Sequence, residues 1–261
     1  MTKIAAIQMC SSDNVDENLL SAEKYISESA KNGAKVAVLP EYFPYIGDDK
    51  PSIQEKFGHG KIQYFLSVTA KKHNIWIIGG TFPLSCTIPR KTRAACLVFD
   101  HQGELITRYD KIHMFDVTLS DKEKYLESSF TDAGDELVCI DTPAGKIGLG
   151  VCFDIRFPEM FKKLVEKGAE IIALPTSFTV PTGEAHWNVL ARATAIYNLS
   201  YFVGACQGGT HSTGRKTYGH SIIVDPWGKV ISEKTENTPG IIYADIDLDE
   251  VKRVRKVLPV L

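Results

Sequence analysis

A cysteine stands where a predicted strand gives way to a predicted helix. Cys152 follows the apolar run 147–151, and Pro158, a few residues later, is suited to the first turn of a helix. A thiol at such a corner is presented for nucleophilic attack, and the backbone N–H groups after the corner could stabilise an oxyanion. The alternative is that Cys152 is a small buried hydrophobic residue, which is a common role of a free cysteine.

A glutamate occupies the equivalent place after another apolar strand. Glu41 follows the run 36–40 and precedes the aromatic residues Tyr42 and Phe43. Open α/β folds place ligand sites at the carboxyl ends of their strands, and aromatic neighbours that exclude water would suit this carboxylate to act as a general base. A solvated glutamate in a loop is the alternative.

A lysine follows a third predicted strand. Lys111 comes soon after the run 105–109. An ammonium group held in a site can stabilise a tetrahedral oxyanion and balance a nearby carboxylate. Because a single lysine is usually an ordinary surface residue, Lys111 has meaning only in combination with Glu41 and Cys152.

The composition is that of a globular protein with one sizeable core. The chain has 261 residues, of which 44% are hydrophobic and 24% charged, and α/β folds of this length often form one domain. We therefore predict a single domain over residues 1–261. The formal net charge of −2, with both signs mixed along the chain, provides no basic face for nucleic acid or for an anionic membrane. A small molecule is the expected partner.

The cysteines indicate a reducing compartment. The chain has six, scattered without the short paired spacings of a disulfide framework or a zinc site. The first apolar run, 4–7, is too short for the hydrophobic region of a secretion signal, and no later apolar stretch approaches the roughly 20 residues that span a bilayer. These patterns predict a cytoplasmic protein.

Two segments predict the same strand, helix, strand order. The first has a strand at 3–9, a helix at 15–32 and a strand at 35–39, and the second has a strand at 146–152, a helix at 158–167 and a strand at 170–174. The letters also match locally, because GAKVAVLP at the end of the first unit parallels GAEIIALP at the end of the second. The two halves of the chain are therefore predicted to be related layers.

The remaining periodicities predict helices that cover mixed sheets. Strands at 94–99 and 105–109, joined by a turn that contains glycine, are typical of a hairpin. The other predicted elements are helices at 52–73, 186–199 and 248–257, and strands at 75–79, 201–206, 220–224, 229–232 and 241–245. No segment is rich enough in Pro, Gly or Ser to mark a domain boundary.

The three candidate residues lie in segments that resemble the nitrilase superfamily of carbon–nitrogen hydrolases. These segments are LPEYF around Glu41, YDKIHMFD around Lys111 and GLGVCFDIRFPE around Cys152, and the resemblance continues in GEAHW and YGHSIIVDPWG. It runs essentially end to end and implies a Glu, Lys, Cys triad. It also implies a four-layer α-β-β-α sandwich with pseudo-two-fold halves, in agreement with the two repeated units, and a homodimer or larger assembly.

The resemblance implies a mechanism and a second glutamate. Glu127 in YLESSFTDAGD matches that glutamate and would position Lys111, with Glu123 as the fallback. Cys152 would attack the amide carbon, and Lys111 and the N–H of Phe153 would stabilise the oxyanion. Glu41 would protonate the leaving ammonia and then activate the water that hydrolyses the thioester. No metal and no organic cofactor are needed in this scheme.

Arg156 is the candidate for binding a substrate carboxylate. It lies four residues beyond Cys152, and in related enzymes that act on N-carbamoyl amino acids an arginine in that relation binds carboxylate. The alternative is a structural ion pair with Asp154 or Glu159. Further candidates for the pocket lining, inferred from their places beside strand ends or in motifs, are Tyr42, Phe43, Phe178, Thr179, His113 and His186.

Two late segments indicate the branch of the superfamily. TSFTVPTGEAHW and ACQGGTHSTGRKTYGHSIIVDPWG look most like the omega-amidases and deaminated glutathione amidases, which implies a small carboxylated amide as substrate. A nitrilase, an aliphatic amidase or an N-carbamoyl amino acid hydrolase would use the same triad. A catalytically silent binding protein on the same scaffold would be marked by loss of a triad member, and none is lost here.

Overall fold

The computed structural model describes residues 1–47, 53–121 and 123–260. The first half of the chain contributes, in order, β1 (Thr2–Gln8), α1 (Val15–Lys31), β2 (Val36–Val38), α2 (Lys61–His73), β3 (Trp76–Ile78), β4 (Phe82–Ser85), β5 (Thr92–Phe99), β6 (Leu105–Asp110), β7 (Asp116–Ser120) and β8 (Glu123–Leu126). The second half contributes β9 (Cys139–Thr142), β10 (Gly145–Leu149), α3 (Pro158–Glu166), β11 (Ile171–Thr176), α4 (Val180–Asn198), β12 (Tyr201–Cys206), β13 (Gly208–Thr210), β14 (Lys216–Tyr218), β15 (Ile222–Val224), β16 (Val230–Glu233), β17 (Gly240–Ile246) and α5 (Leu248–Val257). Two short 3₁₀ turns, Glu127–Ser129 and Cys152–Arg156, lie between these elements.

The chain forms two mixed sheets of the same plan, one mainly from each half, and β17 of the second half joins the sheet of the first. The first has the strand order β17-β1-β2-β3-β5-β4, with β6 also paired to β5, and the second has the order β16-β15-β12-β11-β10-β9. Each has three parallel strands at its centre, β1-β2-β3 in one and β10-β11-β12 in the other, flanked by antiparallel strands. The predicted pair of related halves is confirmed. β7 pairs with β8, and β13 with β14, as separate two-stranded hairpins.

Alternation along the central strands produces the layers. In β1, Ile4 and Ala6 belong to an apolar cluster that they share with residues of the second sheet, whereas Ala5 and Ile7 pack in a second cluster with residues of α1 and α2. Successive side chains of a strand point to opposite faces, so a strand that is buried on both faces is apolar throughout. Helices α3 and α4 cover the outer face of the second sheet, which completes the predicted α-β-β-α sandwich.

The helix predicted at 52–73 is shorter than its pattern suggested. It begins at Lys61, and Ser52 lies outside the described residues. Gly58 has a φ of +83°, which interrupts helical geometry, and the carboxylate of Glu55 accepts hydrogen bonds from backbone N–H groups in the first turn of α2. Glu55 therefore caps the helix and is not part of it.

The helix predicted at 186–199 begins earlier, at Val180. The side chain of Thr179 accepts a hydrogen bond from the N–H of Thr182, and Pro181 stands in the first turn, where its missing N–H has no cost. The cap and the proline are start signals that precede the apolar periodicity.

The strand predicted at 146–152 was too long. It ends at Leu149, and the chain then turns through the 3₁₀ turn that contains Cys152. The carboxylate of Asp154 accepts a hydrogen bond from the N–H of Val151, which closes the turn where the pattern predicted further strand. The other predicted elements agree with the structure to within two residues at each end, and the hairpin is confirmed as β5 and β6.

Several short strands were not predicted, namely β4, β7, β8, β9, β13 and β14. They have only three to five residues each, and β7 and β8 alternate between exposed and half-buried positions, so their apolar signal is weak. Among the helices of the described residues, none is long and apolar enough to cross a membrane.

Candidate active site

The three candidate residues meet at one cavity. Glu41 follows β2, Lys111 follows β6 and Cys152 follows β10, so each comes soon after the end of a strand. Their exposed fractions are 2%, 1% and 7%. All three line a cavity with about 550 Å³ of empty space. Glu41 and Cys152 are more than 100 residues apart in the sequence, and the two sheets bring their strand ends together.

Lys111 lies between two carboxylates. Its Nζ is 2.9 Å from Oε1 of Glu41 and 2.8 Å from Oε2 of Glu127, and all three groups are buried. Burial acts to lower the pKa of Lys111, but the carboxylates of Glu127 and Glu41 raise it well above its usual value. Burial likewise acts to raise the pKa of Glu127. The charge of Lys111 and the hydrogen bonds that Glu127 accepts nevertheless hold this pKa below its usual value. Lys111 is therefore a permanent cation in this site.

Glu127 is fixed by its neighbours on both oxygens. Oε2 accepts a hydrogen bond from the N–H of Phe115 at 2.7 Å, and Oε1 accepts one from the hydroxyl of Tyr42 at 2.8 Å. Glu123, the fallback, instead accepts from the Tyr125 hydroxyl. The geometry thus places Glu127 against Lys111 as the sequence predicted, with no comparable role for Glu123.

Cys152 has a strained backbone. Its φ is +46°, in the left-handed region that residues other than glycine rarely adopt. Burial and then the Glu41 carboxylate raise the pKa of the Cys152 thiol to about 12, although Lys111 acts in the opposite direction. The thiol is therefore protonated at neutral pH, and attack requires a base that takes its proton.

Asp154 holds the turn of Cys152 against the segment of Lys111, and the sequence interpretation missed this role. Its fully buried carboxylate accepts hydrogen bonds from the N–H of Val151, from the hydroxyl of Tyr109 and from the N–H of His113. The Nδ1 atom of His113 is also 2.8 Å from it. The available signal was an acidic residue two positions after the nucleophile in an apolar segment.

Replacing Asp154 with asparagine is expected to destabilise the protein by about 2–3 kcal/mol and to lower kcat by about ten- to a hundredfold. The NH₂ group of the asparagine would face a backbone N–H, which can only donate a hydrogen bond. The turn would then shift, and the Cys152 thiol would no longer be aligned with the substrate. Urea denaturation and steady-state kinetics measure the two effects. Asp225→Asn is the matched control, because Asp225 accepts from two backbone N–H groups in a surface turn. Equal loss of activity in both variants would contradict a specific role of Asp154.

Most of the predicted substrate-binding residues line the cavity. They are Tyr42, Phe153, Arg156, Phe178 and Thr179. His186 does not line it; this residue is exposed and its Nδ1 is 3.1 Å from Nη2 of Arg156. His113, the other predicted histidine, stacks on Phe157 outside the lining, at 3.6 Å between ring centroids. Direct contact of either histidine with substrate has no support from this geometry.

Arg156 points into the cavity between aromatic rings. Its guanidinium is 5.8 Å from the ring centroid of Phe153 and 5.8 Å from that of Phe178. Within the described residues it forms no ion pair with Asp154 or Glu159, the two partners considered from the sequence. Burial lowers the pKa of Arg156, and the group stays cationic because the usual value is so high. This guanidinium is available to an anion.

Other lining residues were not singled out from the sequence. They come from unpredicted hairpins, from strand ends and from the start of α4, and they are Phe115, Tyr125, Leu126, Phe130, Ser177, Thr182 and Arg215. Hairpin residues at a cavity mouth are exposed to solvent on one side, so apolar periodicity does not find them. In the part of the chain that the structure describes, no group of three or more His, Cys, Asp or Glu side chains could hold a metal ion.

Comparison with known proteins agrees with this fold and identifies the family. The model of the carbon-nitrogen hydrolase family matches residues 3–256. A deaminated glutathione amidase of Yersinia enterocolitica is 37% identical over 99% of this chain and 91% of its own length. The omega-amidase NIT2 of Mus musculus is 36% identical over 99% of this chain and 93% of its own length. The crystal structure of Saccharomyces cerevisiae Nit3, a member of branch 10 of the nitrilase superfamily, superposes with a TM-score of 0.88 at 30% identity, covering 99% of this chain and 94% of that one. The chain therefore belongs to the carbon-nitrogen hydrolase family.

Proposed function

We propose that this carbon-nitrogen hydrolase cleaves the C–N bond of a small carboxylated amide through a thioester on Cys152. One observation carries the proposal: a buried cysteine lines the same cavity as a buried lysine that is held between two carboxylates. Such a site contains a nucleophile, a proton acceptor and a fixed positive charge. Those are the groups that acyl transfer requires.

Formation of the thioester begins with proton transfer to Glu41. The Glu41 carboxylate accepts the thiol proton as Sγ of Cys152 attacks the carbonyl carbon, because the thiol itself stays protonated at neutral pH. The C=O bond becomes a C–O⁻ single bond, and the Lys111 ammonium and the Phe153 N–H stabilise the negative oxygen. Since Lys111 is already held by Glu41 and Glu127, its charge is in place before the reaction starts.

Collapse of the tetrahedral intermediate releases the amine. Glu41 returns its proton to the substrate nitrogen, the C–N bond breaks, and the acyl group stays on Cys152. A water molecule that loses a proton to Glu41 then attacks the thioester carbon, and the acid and the free thiol are regenerated. A primary amide releases ammonia, whereas an N-substituted amide such as deaminated glutathione releases the amine that carries the rest of the molecule.

The proposed substrate class is a 2-oxo acid omega-amide or deaminated glutathione. The names of the relatives from Yersinia enterocolitica and Mus musculus support this class. The guanidinium of Arg156, which has no carboxylate partner within the described residues, supports a carboxylate on the substrate, because a partly buried cation gains most from an anionic partner. Nitriles, aliphatic amides and N-carbamoyl amino acids are the alternatives, and a silent binding protein would have no need of an intact triad.

A substrate panel tests the proposal. Purified protein is mixed with 2-oxoglutaramate, deaminated glutathione, a simple aliphatic amide, an N-carbamoyl amino acid and a nitrile, and release of ammonia or amine is measured. We expect turnover of the first two compounds only, with Arg156→Gln raising their KM by about tenfold or more. Preference for another compound would assign the protein a different activity within the family. No turnover of any of the five compounds would contradict the proposal.

We further propose a homodimer of single-domain chains in the cytoplasm. The outer face of α4 supports association, because Val189, Ile196 and Tyr197 are exposed there and Trp227 is exposed in a turn whose Gly228 packs on this helix. The six cysteines, all free thiols, support a reducing compartment. Light scattering should give a mass near twice the 28.9 kDa of one chain, and Tyr197→Glu should lower it.

A further inference from the structure

The cavity contains a second arginine that the reaction does not use. Arg215 lies between β13 and β14 and lines the cavity of Cys152. Its Nε atom is buried and has no hydrogen-bond partner, and among the described residues its guanidinium forms no ion pair. A buried donor on a charged group is costly to leave unsatisfied. A ligand that brings an acceptor to Arg215 would remove this cost.

Arg215 stands where the catalytic cavity opens into a wider outer cavity. Arg215, Tyr125, Leu126, Phe130 and Thr179 line both spaces. Arg215 also acts electrostatically on Tyr125, so the hairpins β7–β8 and β13–β14 meet at this opening. Any part of a substrate that extends from the catalytic cavity into the outer cavity passes Arg215.

The hairpin that carries Arg215 is attached to the segment of Glu41. Nε2 of Gln207, just before β13, donates to the carbonyl of Glu41 at 3.1 Å and to the hydroxyl of Ser11 at 2.8 Å. Within the hairpin, His211 is buried, with Nδ1 at 2.8 Å from the carbonyl of Ser11 and Nε2 at 2.8 Å from the hydroxyl of Thr217. These contacts hold the hairpin in place. The outer cavity also reaches Ile46, in the segment that begins with Glu41.

Glu41 determines which end of the substrate faces this opening. The substrate nitrogen must lie near Glu41 to receive its proton, so the amine portion extends on the Glu41 side of the scissile bond. Arg156 is on the turn of Cys152 and packs against Phe178. Because Arg156 lines only the catalytic cavity whereas Arg215 also lines the outer cavity, the two guanidinium groups suit different ends of one molecule.

We propose that Arg215 binds a carboxylate on the amine portion of the substrate and so selects N-substituted amides that carry an anion at each end. This rests on the proposed function, and within it distinguishes a deaminated glutathione type of substrate from the primary omega-amides. A bidentate pair between guanidinium and carboxylate fits the unsatisfied Nε of Arg215.

Three substrates test the assignment. They are deaminated glutathione, its C-terminal carboxamide, which lacks only the distal negative charge, and 2-oxoglutaramate, which has no amine substituent. The wild type should have a kcat/KM about ten- to a hundredfold higher for the acid than for the carboxamide. In Arg215→Gln this ratio should fall to near one, while the kcat/KM for 2-oxoglutaramate should change by less than about threefold.

Two further variants separate direct binding from other effects. Arg215→Lys keeps the charge and should retain part of the preference for the acid. Lys216→Gln removes the same charge from the next residue, which is exposed and lines only the outer cavity, so a clearly smaller fall of the ratio than in Arg215→Gln is expected and separates contact with Arg215 from the general field of the cavity mouth. A thermal melt of each variant checks that it is folded.

The outcomes are distinct. An acid-to-carboxamide ratio that is unchanged in Arg215→Gln would overturn the role of Arg215 while leaving the amidase function intact. An equal loss for 2-oxoglutaramate and deaminated glutathione would also overturn it, because Arg215 would then bind the acyl portion. If the wild type hydrolysed none of the three compounds, the proposed function would fail, and the assignment of Arg215 would fail with it.

Discussion

Cys152→Ala is expected to lower kcat by about 10⁴-fold or more while leaving the protein folded. Without Sγ no thioester can form, and the remaining groups can only assist a direct attack by water. Alanine removes one buried atom and keeps the left-handed backbone of the turn, so the stability should change by only about 1 kcal/mol. Steady-state turnover of the best substrate in the panel measures the loss of activity.

Cys96→Ala is the control for Cys152→Ala. Cys96 is also a fully buried free thiol, but it does not line the cavity, so its removal should leave kcat nearly unchanged.

The ultraviolet absorbance of thiolate provides a second readout. With the pKa of Cys152 raised to about 12, the wild type and Cys152→Ala should differ little in thiolate absorbance up to about pH 10. Ordinary turnover by Cys152→Ala would overturn the scheme.

Lys111→Met should cost both activity and stability. The substitution removes the ammonium group that stabilises the oxyanion, and we expect kcat to fall by about 10³-fold. It also leaves the carboxylates of Glu41 and Glu127 buried without a cation, which costs about 3–5 kcal/mol at neutral pH. Methionine fills a similar volume, so a cavity contributes little. Kinetics and urea denaturation measure the two losses.

The loss of stability in Lys111→Met should depend on pH. In the wild type the pKa of Glu127 is lowered from its usual value near 4.5, so its contribution is present above that pH and is lost as the pH falls further. In the variant, protonation relieves the repulsion between the carboxylates, and the protein should become less stable as the pH rises from about 5 to about 8. A loss of stability that is the same at both pH values would contradict the charge argument.

The double variant Lys111→Met with Glu127→Gln separates charge from chemistry. It removes one of the two carboxylates, and the carboxamide introduced at position 127 can still accept from the N–H of Phe115 and meet the Tyr42 hydroxyl. We expect it to recover about half of the stability lost at about pH 8 without any recovery of kcat. Recovery of activity would mean that the Lys111 charge is not needed for the reaction.

The main elements of the fold could be predicted because the spacing of apolar residues reflects which positions of a helix or strand are buried. Strands such as β1 and β11 have continuous apolar runs that are buried on both faces, and a helix such as α1 has a capping residue at its start and a glycine after its end. The short hairpins β7–β8 and β13–β14 have no such signal. They are held by contacts with distant parts of the chain, such as the bond from His211 to Ser11.

The proposed reacting groups could also be singled out, since Glu41, Lys111 and Cys152 each follow a predicted strand and stand in a segment that resembles one family. The sequence interpretation did not single out Asp154 or Arg215 as functional residues. The role of Asp154 depends on donors from Tyr109 and His113, which lie more than 40 residues away. The role of Arg215 depends on a cavity whose walls come from several separate segments.

The family, the order of the major elements and the types of the proposed reacting groups could be inferred from residue type and spacing, because each is a local property of the chain. Which groups touch depends on the tertiary structure. It placed Lys111 between Glu41 and Glu127, buried Cys152 so that its thiol stays protonated, and left the Nε of Arg215 without a partner among the described residues at the cavity mouth. Distances, burial and charge depend on side chains that are remote in sequence, and the packing of the two sheets sets them.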